Sequence, residues 1–246
     1  MKYVVGDIHG EYDKLYHLIK IISKDAKEII FLGDYINKGP KSKEVVEFLI
    51  KLSKKINCIF LMGNHEYAWI KYMEGNKKFL DFLLTYGGIQ LIQSYYPNLK
   101  ISEIPNFIKN KKDLKEILPK THVSFISKLN LSYNLNSNFI CIHAGINPDD
   151  RFESISDHNT EDLLFIRNKF LYSKFYYFNR IVIFGHTAFK EPFMDNYKIG
   201  IDTGATYPHL GKLTALDIDR MYFIQNTGKK FHVSHFLKNV IEKGIK

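Results

Sequence analysis

The sequence predicts a layered α/β fold. Five short apolar runs, mostly β-branched or aromatic, have the length and composition of strands that are buried on both faces. Amphipathic stretches with apolar residues at helical spacing alternate with the first three of these runs. The predicted strands comprise residues 3–5, 29–32, 59–62, 139–142 and 181–184.

Four helices are predicted in the first half of the chain. The first covers residues 12–23, where Leu, Leu, Ile and Ile recur at helical spacing. The second covers residues 42–54 and follows Pro40, a residue that suits a helix start. The third and fourth are predicted at residues 67–74 and 78–86.

The remaining elements are predicted with less regular patterns. Residues 95–130 are typical of short helices, which we expect to cover the rim of a site. A turn is predicted at residues 136–138 and a further strand at residues 199–202. Residues 213–217 and 221–225 are predicted to form a hairpin.

Each of the five apolar runs is followed at once by polar residues that bind metals or phosphate. The carboxyl ends of strands in layered α/β folds are where ligand crevices open, so these residues are expected to converge. Asp7 and His9 are two apart on an extended chain and therefore point the same way. The predicted metal ligands are Asp7, His9, Asp34, Asn64, His143 and His186.

This ligand set predicts a two-metal phosphoester hydrolase. Oxygen and imidazole donors without thiolate suit manganese, with iron or zinc as alternatives. A carboxylate such as Asp34 can bridge two divalent ions about 3.5–4 Å apart, which activate water for direct attack on phosphorus. His65 directly follows Asn64 and is the candidate to protonate the leaving oxygen.

Together with Tyr-Gly-Gly at 86–88, Leu-Leu-Phe-Ile-Arg at 163–167 and Ile-Asp-Thr-Gly at 201–204, these motifs resemble the phosphoprotein phosphatase branch of the calcineurin-like metallophosphoesterases. The resemblance extends from residue 6 to about residue 216. It implies a four-layer α/β/β/α sandwich with two mixed sheets and the six metal ligands given above. It also implies His65 as general acid with Asn37 as its orienting partner, and phosphate binding by Lys38, Arg167 and Asn64.

The substrate is expected to be a phosphoprotein, with a Ser/Thr-type protein phosphatase as the main interpretation. The chain length and Glu66 favour it, because the related tetraphosphatases more often carry Asp after the Asn-His pair. The alternative is a hydrolase of dinucleoside polyphosphates, such as diadenosine tetraphosphate, or of RNA caps. Asn37 and Lys38 favour this alternative, because members that act on proteins usually carry Asp and Arg there.

A third interpretation is a binding protein that keeps the metal ligands without turnover. The presence of all six ligands and of His65 argues against it.

Composition is consistent with a cytoplasmic enzyme, or one in a host cytoplasm if the gene is viral or the protein is delivered. The chain has 246 residues, 45% of them apolar, which predicts a single domain over residues 1–246 and a monomer. No apolar run is long enough to cross a membrane. Cys58 and Cys141 lie in predicted strands and are expected to be reduced, buried thiols.

The net charge of +9 does not decide between partners. Much of the excess Lys lies in residues 109–115 and 229–246, and such stretches are usually solvated helix faces. The functional alternative is attraction of polyanionic substrates. No nucleic-acid-binding motif is recognisable in the sequence.

Overall fold

The computed structural model describes residues 1–174, 177–208 and 211–233. Within them lie eleven strands: β1 Lys2–Val5, β2 Glu28–Phe31, β3 Asn57–Phe60, β4 Ser132–Asn134, β5 Phe139–Ile142, β6 Ile181–Phe184, β7 Phe193–Met194, β8 Lys198–Gly200, β9 Thr214–Asp217, β10 Tyr222–Gln225 and β11 Lys230–His232. The α-helices of the same residues are α1 Tyr12–Ile22, α2 Ser42–Leu52, α3 Asn64–Met73, α4 Phe79–Thr85, α5 Gly88–Tyr95, α6 Ile104–Lys109, α7 Lys120–Ile126, α8 Thr160–Phe165 and α9 Asn168–Leu171. The Lys-rich tail beyond residue 233, included in the predicted domain, lies outside the described residues.

The strands form two mixed sheets. The first has the order β11-β10-β9-β1-β2-β3, in which β1, β2 and β3 are parallel and β9 to β11 run antiparallel to their neighbours. The second has the order β4-β5-β6-β8-β7, with β5, β6 and β8 parallel and both edge strands antiparallel. The carboxyl ends of six parallel strands are therefore available to carry a site.

Three hydrophobic clusters mark three interfaces between four layers. Val4 and Ile30 of the first sheet share a cluster with Cys141 and Ile183 of the second, so the two sheets pack face to face. Alternate residues of the same strands point outward, because side chains of a strand alternate between its faces. Those of the first sheet pack on α1, α2 and α5 to α7, and those of the second pack on α8 and α9. The α/β/β/α sandwich is confirmed.

The predicted elements of the first half match the structure closely, with one informative difference. The helix predicted at residues 67–74 begins at Asn64, so Asn64, His65 and Glu66 form its first turn. The short strands β4, β7 and β11 and the helices α5, α8 and α9 were not predicted. Strands of two or three residues carry too little alternation to be recognised in a sequence.

The helices between residues 95 and 130 pack on the outer face of the first sheet. Ile104, Ile108, Leu114 and Ile126 belong to the same cluster as α1 and α2. Among the described residues, the hydrogen bonds and ring contacts of the predicted site residues do not involve this segment.

Both cysteines are free thiols. Burial raises the pKa of Cys58 to about 12, and burial also raises that of Cys141, which lies between the sheets. In the described part of the chain, no helix combines the length and apolar character that a membrane crossing requires.

Candidate metal centre

The site lies where the carboxyl ends of β1, β2, β3, β5 and β6 meet. The loop after each strand contributes one or more predicted ligands, and all six are buried. Because the two sheets pack face to face, the loops of both sheets approach the same point. The structure therefore brings together every residue that the strand-end pattern predicted as a metal ligand: Asp7, His9, Asp34, Asn64, His143 and His186.

Asp34 lies at the centre of this arrangement. Its Oδ2 is 3.3 Å from His9 Nε2, and its Oδ1 is 3.6 Å from His143 Nε2. In the described part of the chain, two groups of side chains have ligand atoms close enough to hold a cation: His9, Asp34 and His65, and Asp34, His143 and His186. Asp34 belongs to both groups, so its two oxygens could serve two ions at once.

Backbone carbonyls orient two of the imidazole rings. His9 Nδ1 is 3.1 Å from the Ile36 carbonyl and His143 Nδ1 is 2.8 Å from the Leu32 carbonyl. A carbonyl only accepts, so each Nδ1 must be protonated and donate to it. In the neutral rings the Nε2 lone pairs then face Asp34, which is the arrangement that metal-binding histidines use.

Two buried polar atoms of the site have no hydrogen-bond partner among the residues that the structure describes. They are Asp7 Oδ1 and His186 Nε2. Asn64 Oδ1 also points into the site, 3.0 Å from His143 Nε2 and 2.9 Å from His186 Nδ1. Buried polar atoms that no protein group satisfies cost free energy, and a cation would satisfy them. The donor set thus fits a pair of divalent metal ions.

The electrostatics of the site agree with this fit. Burial lowers the pKa of His9, His143 and His186, which keeps these rings neutral and able to bind metal. Burial opposes ionisation of Asp34, but the attraction of positive charge, from His143, His65 and His9 in their protonated forms and from Lys38, outweighs it and lowers the pKa of the carboxyl.

The pKa values of Asp7 and Asp202 are raised, whereas that of Asp34 is lowered. Burial, together with the charges of Asp202 and Asp34, raises the pKa of Asp7 well above its usual value. Burial raises the pKa of Asp202 to about 6. Three carboxyls crowded in a buried site repel one another when ionised, and bound cations would relieve that repulsion.

Glu66 holds the loops that follow β2 and β3. Its Oε1 accepts hydrogen bonds from the backbone N–H groups of Tyr35 and Ile36, at 2.9 and 3.2 Å. Its Oε2 accepts from those of Asp34 and Gly63, at 3.0 and 3.1 Å. Burial raises the pKa of Glu66 to about 8, whereas the four N–H donors favour the ionised carboxylate. Every oxygen acts as an acceptor here, so this loop arrangement binds the carboxylate form.

Asp34 also caps helix α3. Gly63 occupies the N-cap position and has no side chain, and Asp34 Oδ1 accepts the His65 N–H at 3.1 Å in its place. A Cβ at residue 63 would collide with Asp34 Oδ1, and one at Gly185 would collide with Asp7 Oδ1. Neither glycine has a positive φ, so close approach of the two carboxylates, rather than a sharp turn, requires glycine there.

Five site residues have left-handed backbone conformations. The φ angles of His9, Asp34, Asn37, Lys38 and His186 are 47°, 52°, 70°, 58° and 61°. Residues other than glycine rarely adopt such angles, which cost free energy and concentrate at functional sites. The surrounding hydrogen bonds therefore hold these side chains in place at the expense of backbone strain.

The other residues predicted for catalysis and phosphate binding also lie at this site: Asn37, Lys38, His65 and Arg167. Asn37 Nδ2 is 2.8 Å from His65 Nδ1, as expected of an orienting partner. Lys38 Nζ is 2.7 Å from His9 Nε2. The exposed Arg167 donates to the carbonyl of His186 at 2.9 Å, which anchors its guanidinium at the edge of the site. Burial lowers the pKa of His65 to about 4.

Two further residues at the site were not predicted to have a role. Asp202 follows β8 and is buried against the site, and the strand-end pattern that identified the other ligands also applied to it. Trp69 donates its indole N–H to Asn37 Oδ1 at 3.0 Å. No sequence signal points to Trp69, because the contact joins residues 32 positions apart.

Comparison with known proteins agrees with the geometry. Residues 3–200 match the family described as calcineurin-like phosphoesterase. The chain is 26% identical to the asymmetrical bis(5'-nucleosyl)-tetraphosphatase PrpE of Halalkalibacterium halodurans, with 96% of this chain and 97% of that protein covered. It is 26% identical to the symmetrical bis(5'-nucleosyl)-tetraphosphatase of Wigglesworthia glossinidia brevipalpis, with 92% and 99% covered.

The fold is also similar to that of a cold-active protein-tyrosine phosphatase from a psychrophilic Shewanella species. The TM-score is 0.64 at 18% identity, over 94% of this chain and 80% of that one.

Removing the shared carboxylate should affect metal binding more than removing a ligand of one group. Asp34→Ala is expected to lose both ions and His186→Ala to lose one, because only Asp34 belongs to both groups. Metal content after manganese loading and dialysis, measured by plasma mass spectrometry, checks this. His158→Ala is the matched control, since His158 is buried but contacts Asp150 and the Phe152 carbonyl away from the site. Retention of both ions by Asp34→Ala would contradict the shared role.

Proposed function

This chain belongs to the calcineurin-like phosphoesterase family, and we propose that it hydrolyses dinucleoside polyphosphates such as diadenosine tetraphosphate. It is a phosphoric ester hydrolase, as its family membership establishes. The substrate class is supported by relatives named for tetraphosphatase activity that cover nearly the whole chain. Within the site, one contact carries the proposal: the pairing of His65 with Asn37.

The Asn37–His65 pair suits a leaving group that needs little protonation. The buried amide of Asn37 lies 2.8 Å from His65 Nδ1 and supplies no negative charge to favour a protonated ring. Cleavage of a polyphosphate releases a phosphate, which is a stable anion, whereas cleavage of phosphoserine releases an alkoxide. An alkoxide depends far more on a general acid. The pair therefore favours a polyphosphate over a phosphoprotein.

An aromatic wall beside the site offers a surface for a nucleobase. It comprises Phe82, Tyr86 and Phe165. Phe82 lies 5.2 Å from the ring of His65, and Tyr86 lies 4.9 Å from Phe82 with 51% of its surface exposed. Phe165 extends the wall to within 6.4 Å of the ring of His186. Stacking on aromatic side chains stabilises a bound base by about 1–3 kcal/mol.

Six of the site residues are assigned to metal binding. We propose that the metals are held by Asp7, His9, Asp34, Asn64, His143 and His186, with manganese as the proposed pair and iron or zinc as alternatives. When bound, the metal pair supplies Lewis acidity and an activated water for attack on phosphorus.

Four residues act on the substrate itself. Lys38 is a point charge and Arg167 a two-pronged donor, and together they bind the phosphoryl oxygens. Asn64 can add a hydrogen bond from its amide nitrogen. His65 meets the leaving oxygen through its Nε2, which lies 3.9 Å from Asp34 Oδ2.

Protein phosphatase activity remains the alternative outcome of the substrate test. The preference based on Glu66 loses its force, because all four hydrogen bonds of that carboxylate go to backbone N–H groups of the site's own loops. Glu66 thus shapes the site without distinguishing a peptide from a nucleotide.

A direct comparison of substrates tests the proposal. Manganese-loaded protein is expected to cleave diadenosine tetraphosphate with a kcat/KM about tenfold or more above that for phosphoserine or phosphotyrosine peptides. Chromatography of the products and phosphate release measure the two activities, and capped RNA is compared in the same assay. A preference of similar size for a peptide would establish a protein phosphatase instead.

The aromatic wall predicts a selective effect on nucleotide binding. Tyr86→Ala should raise KM for diadenosine tetraphosphate by about tenfold, because roughly 1–3 kcal/mol of stacking is lost, and leave hydrolysis of p-nitrophenyl phosphate unchanged. Tyr172→Ala is the control, since Tyr172 is 82% exposed and has no described contact with the site. Equal losses on both substrates would show that Tyr86 supports the fold of the site and does not bind the base.

A further inference from the structure

Trp69 fixes the orientation of the Asn37 side chain. Trp69 and Asn37 are both fully buried, and the indole Nε1 lies 3.0 Å from Asn37 Oδ1. An indole N–H is a donor with no acceptor capacity, so it must face the amide oxygen. The amide nitrogen of Asn37 is therefore the atom that faces His65 Nδ1, at 2.8 Å.

This orientation determines which nitrogen of His65 carries the proton. The amide nitrogen of Asn37 only donates, so His65 Nδ1 must accept and cannot itself be protonated. A neutral imidazole without a proton on Nδ1 carries it on Nε2. That atom faces the reaction centre, 3.9 Å from Asp34 Oδ2.

We propose that Trp69 is a positioning residue that, through Asn37, holds His65 as the neutral Nε2–H tautomer and so restricts the enzyme to leaving groups that depart as anions. A neutral imidazole can donate a hydrogen bond, but giving up its only proton would leave an imidazolate. This inference rests on the proposed function. It narrows the range of substrates to phosphoanhydrides and to phosphate esters with acidic leaving groups.

The bond changes balance without a proton from His65. The water oxygen bonds to phosphorus, and the bond from phosphorus to the leaving oxygen breaks. The leaving oxygen keeps the electron pair as an anion, stabilised by the Nε2–H hydrogen bond, and the protons of the water pass to solvent. A terminal phosphate carries this charge readily, whereas a serine or alkyl oxygen does not.

The packing around Trp69 supports a fixed orientation. Its ring belongs to the cluster formed with α1, α2 and α5, and its Cζ2 packs close to Gly88, where an added Cβ would lie 3.2 Å from it. A flip of the Asn37 amide would set the indole N–H against an amide N–H. It would also leave a buried donor unsatisfied, at a cost of about 1–3 kcal/mol.

Two variants test the inference through the leaving group. Asn37→Asp presents an acceptor to His65 Nδ1 and still accepts from Trp69, while Trp69→Phe removes the indole N–H and lets the amide turn. In wild-type protein, log kcat/KM for a series of aryl and alkyl phosphates should fall steeply as the leaving group's pKa rises. Both variants should flatten that slope, improving alkyl relative to aryl substrates by about tenfold or more. Tyr95→Phe, which removes a hydroxyl bonded to His122 outside the site, should keep the wild-type slope.

A spectroscopic measurement tests the tautomer without turnover. In zinc-loaded protein labelled with nitrogen-15, His65 should show an unprotonated Nδ1 and a protonated Nε2, with the signals assigned by their loss in His65→Gln. A protonated Nδ1 in wild-type protein, or identical slopes for all variants that retain metal, would overturn the inference.

The same data separate this inference from the proposed function. A steep slope and the predicted tautomer, without cleavage of diadenosine tetraphosphate, would refute the nucleotide substrate and support the tautomer. Efficient cleavage of diadenosine tetraphosphate with a flat slope would support the nucleotide substrate and refute the tautomer.

Discussion

The Glu66 carboxylate is the constraint on which the site depends. It gathers four backbone N–H groups, three from the loop after β2 and one from the loop after β3. Because that carboxylate is fully buried, releasing any of these groups would leave an unsatisfied donor or acceptor inside the protein. These hydrogen bonds therefore fix the position of the loop that carries Asp34 relative to the helix that carries His65.

The other features of the site depend on this fixed position of the Asp34 loop relative to α3. With its loop held, Asp34 can cap α3 through Oδ1 while its two oxygens face imidazoles from both sheets. The left-handed conformations of His9, Asp34 and His186 are tolerated because the framework of strands and hydrogen bonds opposes their relaxation. A site organised before substrate arrives needs little rearrangement during the reaction, and this is the main source of electrostatic catalysis.

Much of the site could be predicted from local sequence, because each ligand directly follows a strand and parallel strands end at a common edge. Asp202 obeys the same rule but was assigned no role, because it was counted as the last residue of the strand predicted at 199–202 and as part of the Ile-Asp-Thr-Gly motif. The contacts of Trp69 and Glu66 could not be predicted, since they join residues about 30 positions apart and depend on how α3 packs. The main strands were predictable from composition, whereas β7 has only two residues and arises from pairing with β8.

The chemistry suggested for the site is a consequence of one neutral side chain. With Asn37 held by Trp69, the charge near His65 comes from Asp34 and Lys38 and not from a dedicated carboxylate partner. A bound metal pair would then supply most of the activation, and the leaving group would carry its own charge. A polyphosphate meets that requirement better than a phosphoserine.

We propose that two metal ions share Asp34, and anomalous diffraction from crystals of manganese-loaded protein would locate both ions. We expect two anomalous peaks on either side of the Asp34 carboxylate, one near His9 and the other near His143 and His186. A single peak, or peaks that Asp34 does not contact, would contradict it.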